Sequence, residues 1–273
     1  MPGSGVLRLG PVARKLISPD KWTDGYPGPE AYVKELDILL KFADEKSGCL
    51  ERFRPNIEAR DKQRDKAMSE LRLAYLLENM GFPITAWDPP GANNKIGEFT
   101  LQSPEGISIF TEIKSPGWES ELSKEQIAAG RATQPKYIEP GGFAVGNWRP
   151  VHRCIAADNC YPKFTNNQPN LLIICDDLMF PLHESLDHVE GALYGQKAQF
   201  EEDGFFTTTR FENIGGLGIF YPVSTGARDG LEYRLIIYEN HCALPATKLP
   251  QSLLQYSKPF VCYVRGTERR GPR

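Results

Sequence analysis

Between Gly81 and Ser115 the chain sets three short strand-like segments in close succession, at about 84–87, 96–102 and 106–114. Pro89-Pro90-Gly91 breaks the first from the second, and Ser103-Pro104-Glu105-Gly106 is a turn cluster between the second and third. The last two are close enough to form an antiparallel hairpin. Helical patterns before this block and an apolar run after it make the expected class α/β.

Residues 1–28 are rich in Gly and Pro and read as loop. Pro29-Glu30 opens a helix in which Tyr32, Leu36, Leu39, Leu40 and Phe42 recur at helical spacing until Ser47-Gly48 stops it. A second helix spans about 61–79, with Met68, Leu71, Ala74, Tyr75 and Leu77 as its apolar stripe and Gly81 and Pro83 at its end. After Ser115-Pro116-Gly117 come an inserted helix at about 119–129 and a Gly-rich aromatic loop reaching Trp148. A helical segment at 151–159 leads into Leu171-Leu172-Ile173-Ile174-Cys175, a continuous apolar run typical of a buried strand. Asp176-Asp177 end that run and are expected to cap the turn. Strands are expected at 205–211, 216–223 and 231–238, with a last helix turn or strand within 253–264.

No linker divides the chain. It reads as one elaborated domain over 1–273: an N-terminal loop and helical extension (1–60), a core (61–180) with an insertion at 115–150, and a β-rich C-terminal extension (181–273). No apolar stretch reaches the roughly 20 residues of a membrane helix, and the first residues lack the layout of a secretory signal. The expected location is cytoplasmic, with no membrane partner. A net charge of −3 does not announce a nucleic-acid binder. Local basic runs do occur, at Arg52, Arg54, Arg60, Lys62, Arg64 and Lys66, and at Arg265, Arg269, Arg270 and Arg273. His152, Cys154 and Cys160 match no standard zinc spacing, and buried reduced thiols are the expectation for the cysteines.

The third strand carries the chemistry. Alternation puts Ser108, Phe110, Glu112 and Lys114 on one face, with Ile107, Ile109, Thr111 and Ile113 on the other. In the partner strand Glu98 shares a face with Ile96 and Thr100, and the hairpin can bring it beside Glu112 and Lys114. Two carboxylates can hold a hard Mg²⁺ and leave positions for water and a phosphate oxygen. A lysine beside them can orient or deprotonate the attacking water, or neutralise charge in the transition state. No histidine lies nearby, which disfavours zinc. A Glu-x-Lys triplet alone means little, since about one is expected by chance in a chain of this length. Asp44-Glu45-Lys46 is an internal control: it also reads acid-x-Lys, but at the end of a helix and with no accompanying acid.

Gly97-Glu98-Phe99, a turn, and Glu112-Ile113-Lys114 at a strand end together resemble the PD-(D/E)xK nuclease superfamily. The likeness covers about 60–177 and extends to the order helix, three-stranded meander, helix, strand. It implies a restriction-endonuclease-like core with a central mixed sheet, to which this chain adds an N-terminal helix and extra C-terminal strands. By resemblance, Glu98 and Glu112 ligate Mg²⁺ (Mn²⁺ substituting), Lys114 acts on the water, and Glu70 on the first core helix assists. The implied partner is nucleic acid, DNA first, and many such nucleases dimerise to cut both strands. Lys163, Gln126, Arg64 and Lys66 are candidate phosphate contacts; Trp118, Tyr137 and Trp148 are candidates to stack on bases or to anchor their loop. Glu98 stands where the family usually has aspartate, and no proline precedes it. Two other readings stay open. One is a nuclease-fold protein that binds nucleic acid or protein without catalysis, its carboxylates salt-bridged or splayed. The other is a hydrolase of another fold, with Glu98 and Glu112 on distant elements.

Overall fold

Helix formation in this chain follows its apolar stripes. A computed structural model describes residues 9–18, 30–59, 62–115, 151, 154–155, 161–176, 182–184, 186–195, 204–224, 231–255 and 260–263. Its helices are α1 (Ala13–Leu16), α2 (Glu30–Glu45), α3 (Cys49–Ile57), α4 (Lys62–Asn79), α5 (Leu186–Tyr194) and α6 (Gln251–Leu254). Leu36, Leu39, Leu40 and Ala43 line the buried side of α2; Met68, Leu71, Ala74 and Leu77 line that of α4. Gly81, at φ 91°, ends α4 by turning left-handed, which lets the Phe82 N–H donate back to the Leu77 carbonyl at 3.0 Å. Three helices were not expected: α1, α3 and α5. Helix α1 falls within residues 1–28, which read as loop; there Ala13 and Ile17 enter the core and the Ala13 N–H donates to Asp37 Oδ1 at 2.8 Å. Pro55 inside α3 reads as a breaker, yet Cys49, Phe53 and Ile57 form a fully buried stripe at intervals of four, and that burial prevails. In α5, Leu186, Val189 and Leu193 supply a shorter stripe.

Seven strands form one mixed sheet in the order β1 to β7: β1 (Ile84–Trp87), β2 (Phe99–Gln102), β3 (Ser108–Lys114), β4 (Asn170–Cys175), β5 (Gly216–Ser224), β6 (Leu231–Glu239) and β7 (Phe260–Tyr263). The pairs β1/β2 and β2/β3 are antiparallel, β3/β4 and β4/β5 parallel, β5/β6 and β6/β7 antiparallel. The second segment pairs only from Phe99, because Ile96 makes just an isolated bridge to Pro90.

One face of the sheet packs on α1 to α4 through Phe99, Leu101, Ile109, Ile113, Leu171 and Ile173. The other packs through Phe110, Leu172, Ile174, Leu217 and Ile219 on Val151, Cys154, Ile155 and α5. Val151, Cys154 and Ile155 are helical, in keeping with the expected crossover helix. Every residue of β4 is buried, which is why its run is continuous rather than alternating.

The strand expected at 205–211 is instead a turn followed by a 3₁₀ turn, Thr209–Phe211. The N–H groups of Phe205 and Phe206 donate to the carbonyls of Ala192 and Leu193, closing the end of α5. The aromatic side chains plug the second core, with Phe205 and Phe211 edge-on at 5.3 Å. Residues 253–264 hold both expected forms, the end of α6 and then β7. Among the described residues, no helix is long and apolar enough to cross a membrane.

A buried polar tie joins the layers. Arg72 of α4 donates from Nε and Nη2 to Glu35 of α2 at 2.7 and 2.8 Å, and the Tyr233 hydroxyl of β6 donates to Glu35 Oε1. Burial, and then the Glu35 charge, push the Tyr233 hydroxyl well above its ordinary pKa, so it remains a donor.

Candidate active site

The β2–β3 register decides whether the acids meet. Phe99 lies opposite Thr111, and the Glu98 N–H donates to the Thr111 carbonyl at 3.0 Å. Glu98 thus immediately precedes β2 and Glu112 follows Thr111 on β3, which puts both acids at the same end of the hairpin. A Cβ at Gly97 would lie 2.4 Å from the Phe110 ring. Only glycine lets the chain pass that ring and deliver Glu98.

Glu112 is fully buried and is held by two lysines. Lys114 Nζ lies 2.6 Å from Oε1, and Lys163 Nζ donates to both oxygens at 2.7 Å. Lys163 belongs to the 3₁₀ turn Tyr161–Lys163. Asn93 Nδ2 donates to the Pro162 carbonyl at 2.9 Å, and Gly91 leaves room for the Lys163 carbonyl, which a Cβ would approach to 2.5 Å. The β1–β2 connection thus anchors Lys163 over Glu112.

Glu98 Oε2 lies 2.5 Å from Arg52 Nη2, while Nη1 of the same guanidinium bonds Asp88. Arg52 also sits over the Phe53 and Trp87 rings, at 5.6 and 5.7 Å. Burial works against its charge, but Asp88 and Glu98 outweigh that and raise its pKa. Asp88 takes a left-handed φ of 51°, which aspartate tolerates better than most residues.

Glu70, on α4, is the perturbed acid. Burial first, then the Glu98 charge, raise its pKa to about 7 against the opposing pull of Lys66, 3.3 Å away. Its Oε1 is buried and faces the Lys66 ammonium. Lys66 feels Glu70, Glu98 and Lys114 in turn, and its own pKa is raised by the two acids against the cost of burial. Glu70, Glu98, Lys66 and Lys114 therefore belong to one electrostatic neighbourhood.

The Glu70 carboxyl gives a pH signature. Its folded pKa lies above the ordinary carboxylate value, so its contribution to stability is complete below about pH 4 and fades as pH rises through about 7. Glu70→Gln keeps the neutral shape at every pH. The wild type is expected to lose melting temperature relative to this variant between pH 5 and pH 8; parallel profiles would contradict the assignment.

The donor chemistry fits a hard divalent ion. Glu98 and Glu112 lie at the same end of the β2–β3 hairpin, and Glu70 adds a buried carboxylate oxygen paired with the Lys66 ammonium at 3.3 Å. Among the described residues no three His, Cys, Asp or Glu side chains converge as a ready metal cage. Mg²⁺ does not need one, since it is held by one or two carboxylates and keeps several waters.

Of the remaining expected residues, Lys66 is half exposed and paired with Glu70. Arg64 is buried, its Nε donating to the Ile57 carbonyl at 2.9 Å, so it secures α3 to α4. Gln126, Trp118, Tyr137 and Trp148, like His152 and Cys160, lie outside the described residues. Glu98 immediately precedes β2, and Glu112 lies on its partner strand β3. Sequence reading gave Arg52 and Lys163 no role in holding the acids. Arg52 stood only within a basic run, and nothing in sequence links Lys163 to an acid 51 residues earlier. No family model, curated protein or solved structure matches this chain.

Proposed function

We propose that the chain is a metal-dependent nuclease with a restriction-endonuclease-like core, hydrolysing phosphodiester bonds in nucleic acid, with DNA the favoured substrate. The observation that supports this reading is the β2–β3 pairing, which brings Glu98, just before β2, and Glu112 of β3 to the same end of the hairpin, with Lys114 two residues on. The order α4, meander, helical residues 151 and 154–155, then parallel β4 supports it as well. Glu98 and Glu112 would hold Mg²⁺ or Mn²⁺, with Glu70 assisting through water. Such an ion supplies a polarised water and stabilises charge on the phosphorus. Lys114 orients the water whose oxygen bonds to phosphorus as the bond to the leaving oxygen breaks. Lys163 and Arg52, when released from the carboxylates, offer their charge to phosphate oxygens.

The second reading, a nuclease-fold protein that binds without cleaving, draws on the same contacts. Glu112 is covered by two lysines and Glu98 by Arg52, so both acids are already neutralised. Titration calorimetry with Mn²⁺ separates the two. The nuclease reading expects saturable binding by the wild type and a loss of at least tenfold in Glu112→Gln. Absence of Mn²⁺ binding, with oligonucleotide binding retained, selects the second.

A further inference from the structure

The strand edge that carries Lys114 continues into a second polar group. Lys114 pairs with Ile174 in parallel register, so Asp176 lies two residues beyond that point on the neighbouring strand and on the same face. The ladder then carries on to Tyr221 of β5 and Arg234 of β6, since Cys175 pairs with Phe220 and Tyr221 with Arg234. Strand geometry puts Asp176 about 5 Å across and 7 Å along from Lys114.

Asp176 does more than end a strand. It accepts the backbone N–H groups of Leu182 and His183 at 2.9 and 2.8 Å, and His183 Nδ1 lies 2.7 Å from its Oδ2. An ionised carboxylate only accepts, so Nδ1 carries the proton and the imidazole is fixed in tautomer and orientation. The ring stacks flat on Tyr221, with centroids 4.1 Å apart and planes 2° from parallel. Tyr221 is buried in the second core, a rigid floor for the imidazole. The His183 side chain remains 24% exposed.

We propose that His183 is a stacking platform for an unpaired nucleobase of the substrate strand beside the cleavage site. The inference rests on the nuclease reading and narrows its substrate to strands with an unstacked base. A flat ring, held by a carboxylate on one edge and an aromatic ring beneath, meets a base at little entropic cost. Stacking tolerates any base, because every base has a π face. Tyr221, the neighbouring Arg234 and the Asp176 carboxylate hold the platform rather than read sequence.

The test uses the full chain and a fluorescent single-stranded oligonucleotide, with binding measured in a chelator and cleavage in Mg²⁺. A fully paired duplex of the same sequence is the control. Stacking on one base is worth about 5- to 150-fold in affinity. His183→Ala and His183→Gln are each expected to weaken single-strand binding within that range. His183→Phe, which keeps a flat ring, should remain within about threefold of wild type, and duplex binding should not change. Asp176 still caps the backbone of the turn in all three, and equal melting temperatures verify it. Wild-type cleavage with unchanged single-strand binding in His183→Ala overturns the platform and leaves the nuclease reading standing. Equal losses in His183→Phe and His183→Ala overturn it too, since the ring would not be what matters. A wild type that neither binds nor cleaves overturns both.

Discussion

Lys114→Ala is expected to keep the wild-type melting temperature and to lose Mg²⁺-dependent cleavage by roughly 10²- to 10⁴-fold, the usual yield of a positioned proton-transfer group. The fold survives because Lys163 still covers both Glu112 oxygens at 2.7 Å when Lys114 is gone. The buried carboxylate is not left bare, and the lost Lys114 stem is already a quarter exposed. Activity has no such reserve, because Lys163 reaches Glu112 from the 3₁₀ turn and not from β3. Initial rates on a labelled duplex, with circular dichroism of both proteins, separate the effects. Equal rates would remove Lys114 from the chemistry; a collapsed spectrum would make it a structural lysine.

Arg72→Met should cost about 3–5 kcal/mol of stability, the penalty for stripping one partner from a buried ion pair. Glu35 is fully buried, and its two oxygens receive the guanidinium and the Tyr233 hydroxyl. With Arg72 removed, the carboxylate keeps only the tyrosine. Pairing Arg72→Met with Glu35→Leu is expected to recover most of the loss, because a buried pair replaced by apolar groups is often neutral. Urea midpoints measure both. A single variant within 1 kcal/mol of wild type would show that the tie between α2, α4 and β6 carries little weight.

Much of the framework can be read directly from residue pattern. The limits of β1, the helical stripes of α2 and α4, and the continuous run of β4 follow from periodicity and turn residues. Face-sharing by Phe110, Glu112 and Lys114 follows from strand alternation alone. What stays hidden depends on tertiary partners. Pro55 masks α3 until Phe53 and Ile57 have a core to enter. Phe205, Phe206 and Phe211 resemble a strand until the end of α5 claims their backbone donors. The same holds at the site: Arg52 reaches Glu98 across 46 residues, and only the folded chain brings them together.

The central claim is that the Glu98–Glu112–Lys114 arrangement cuts phosphodiester bonds with a divalent ion. Incubating the purified chain with plasmid and with single-stranded DNA, in Mg²⁺, in Mn²⁺ and in chelator, tests it most directly. The account predicts cleavage with either metal, none in chelator, and none from Glu112→Gln under any condition. Intact substrates throughout, or cleavage that persists in chelator or in Glu112→Gln, would contradict it.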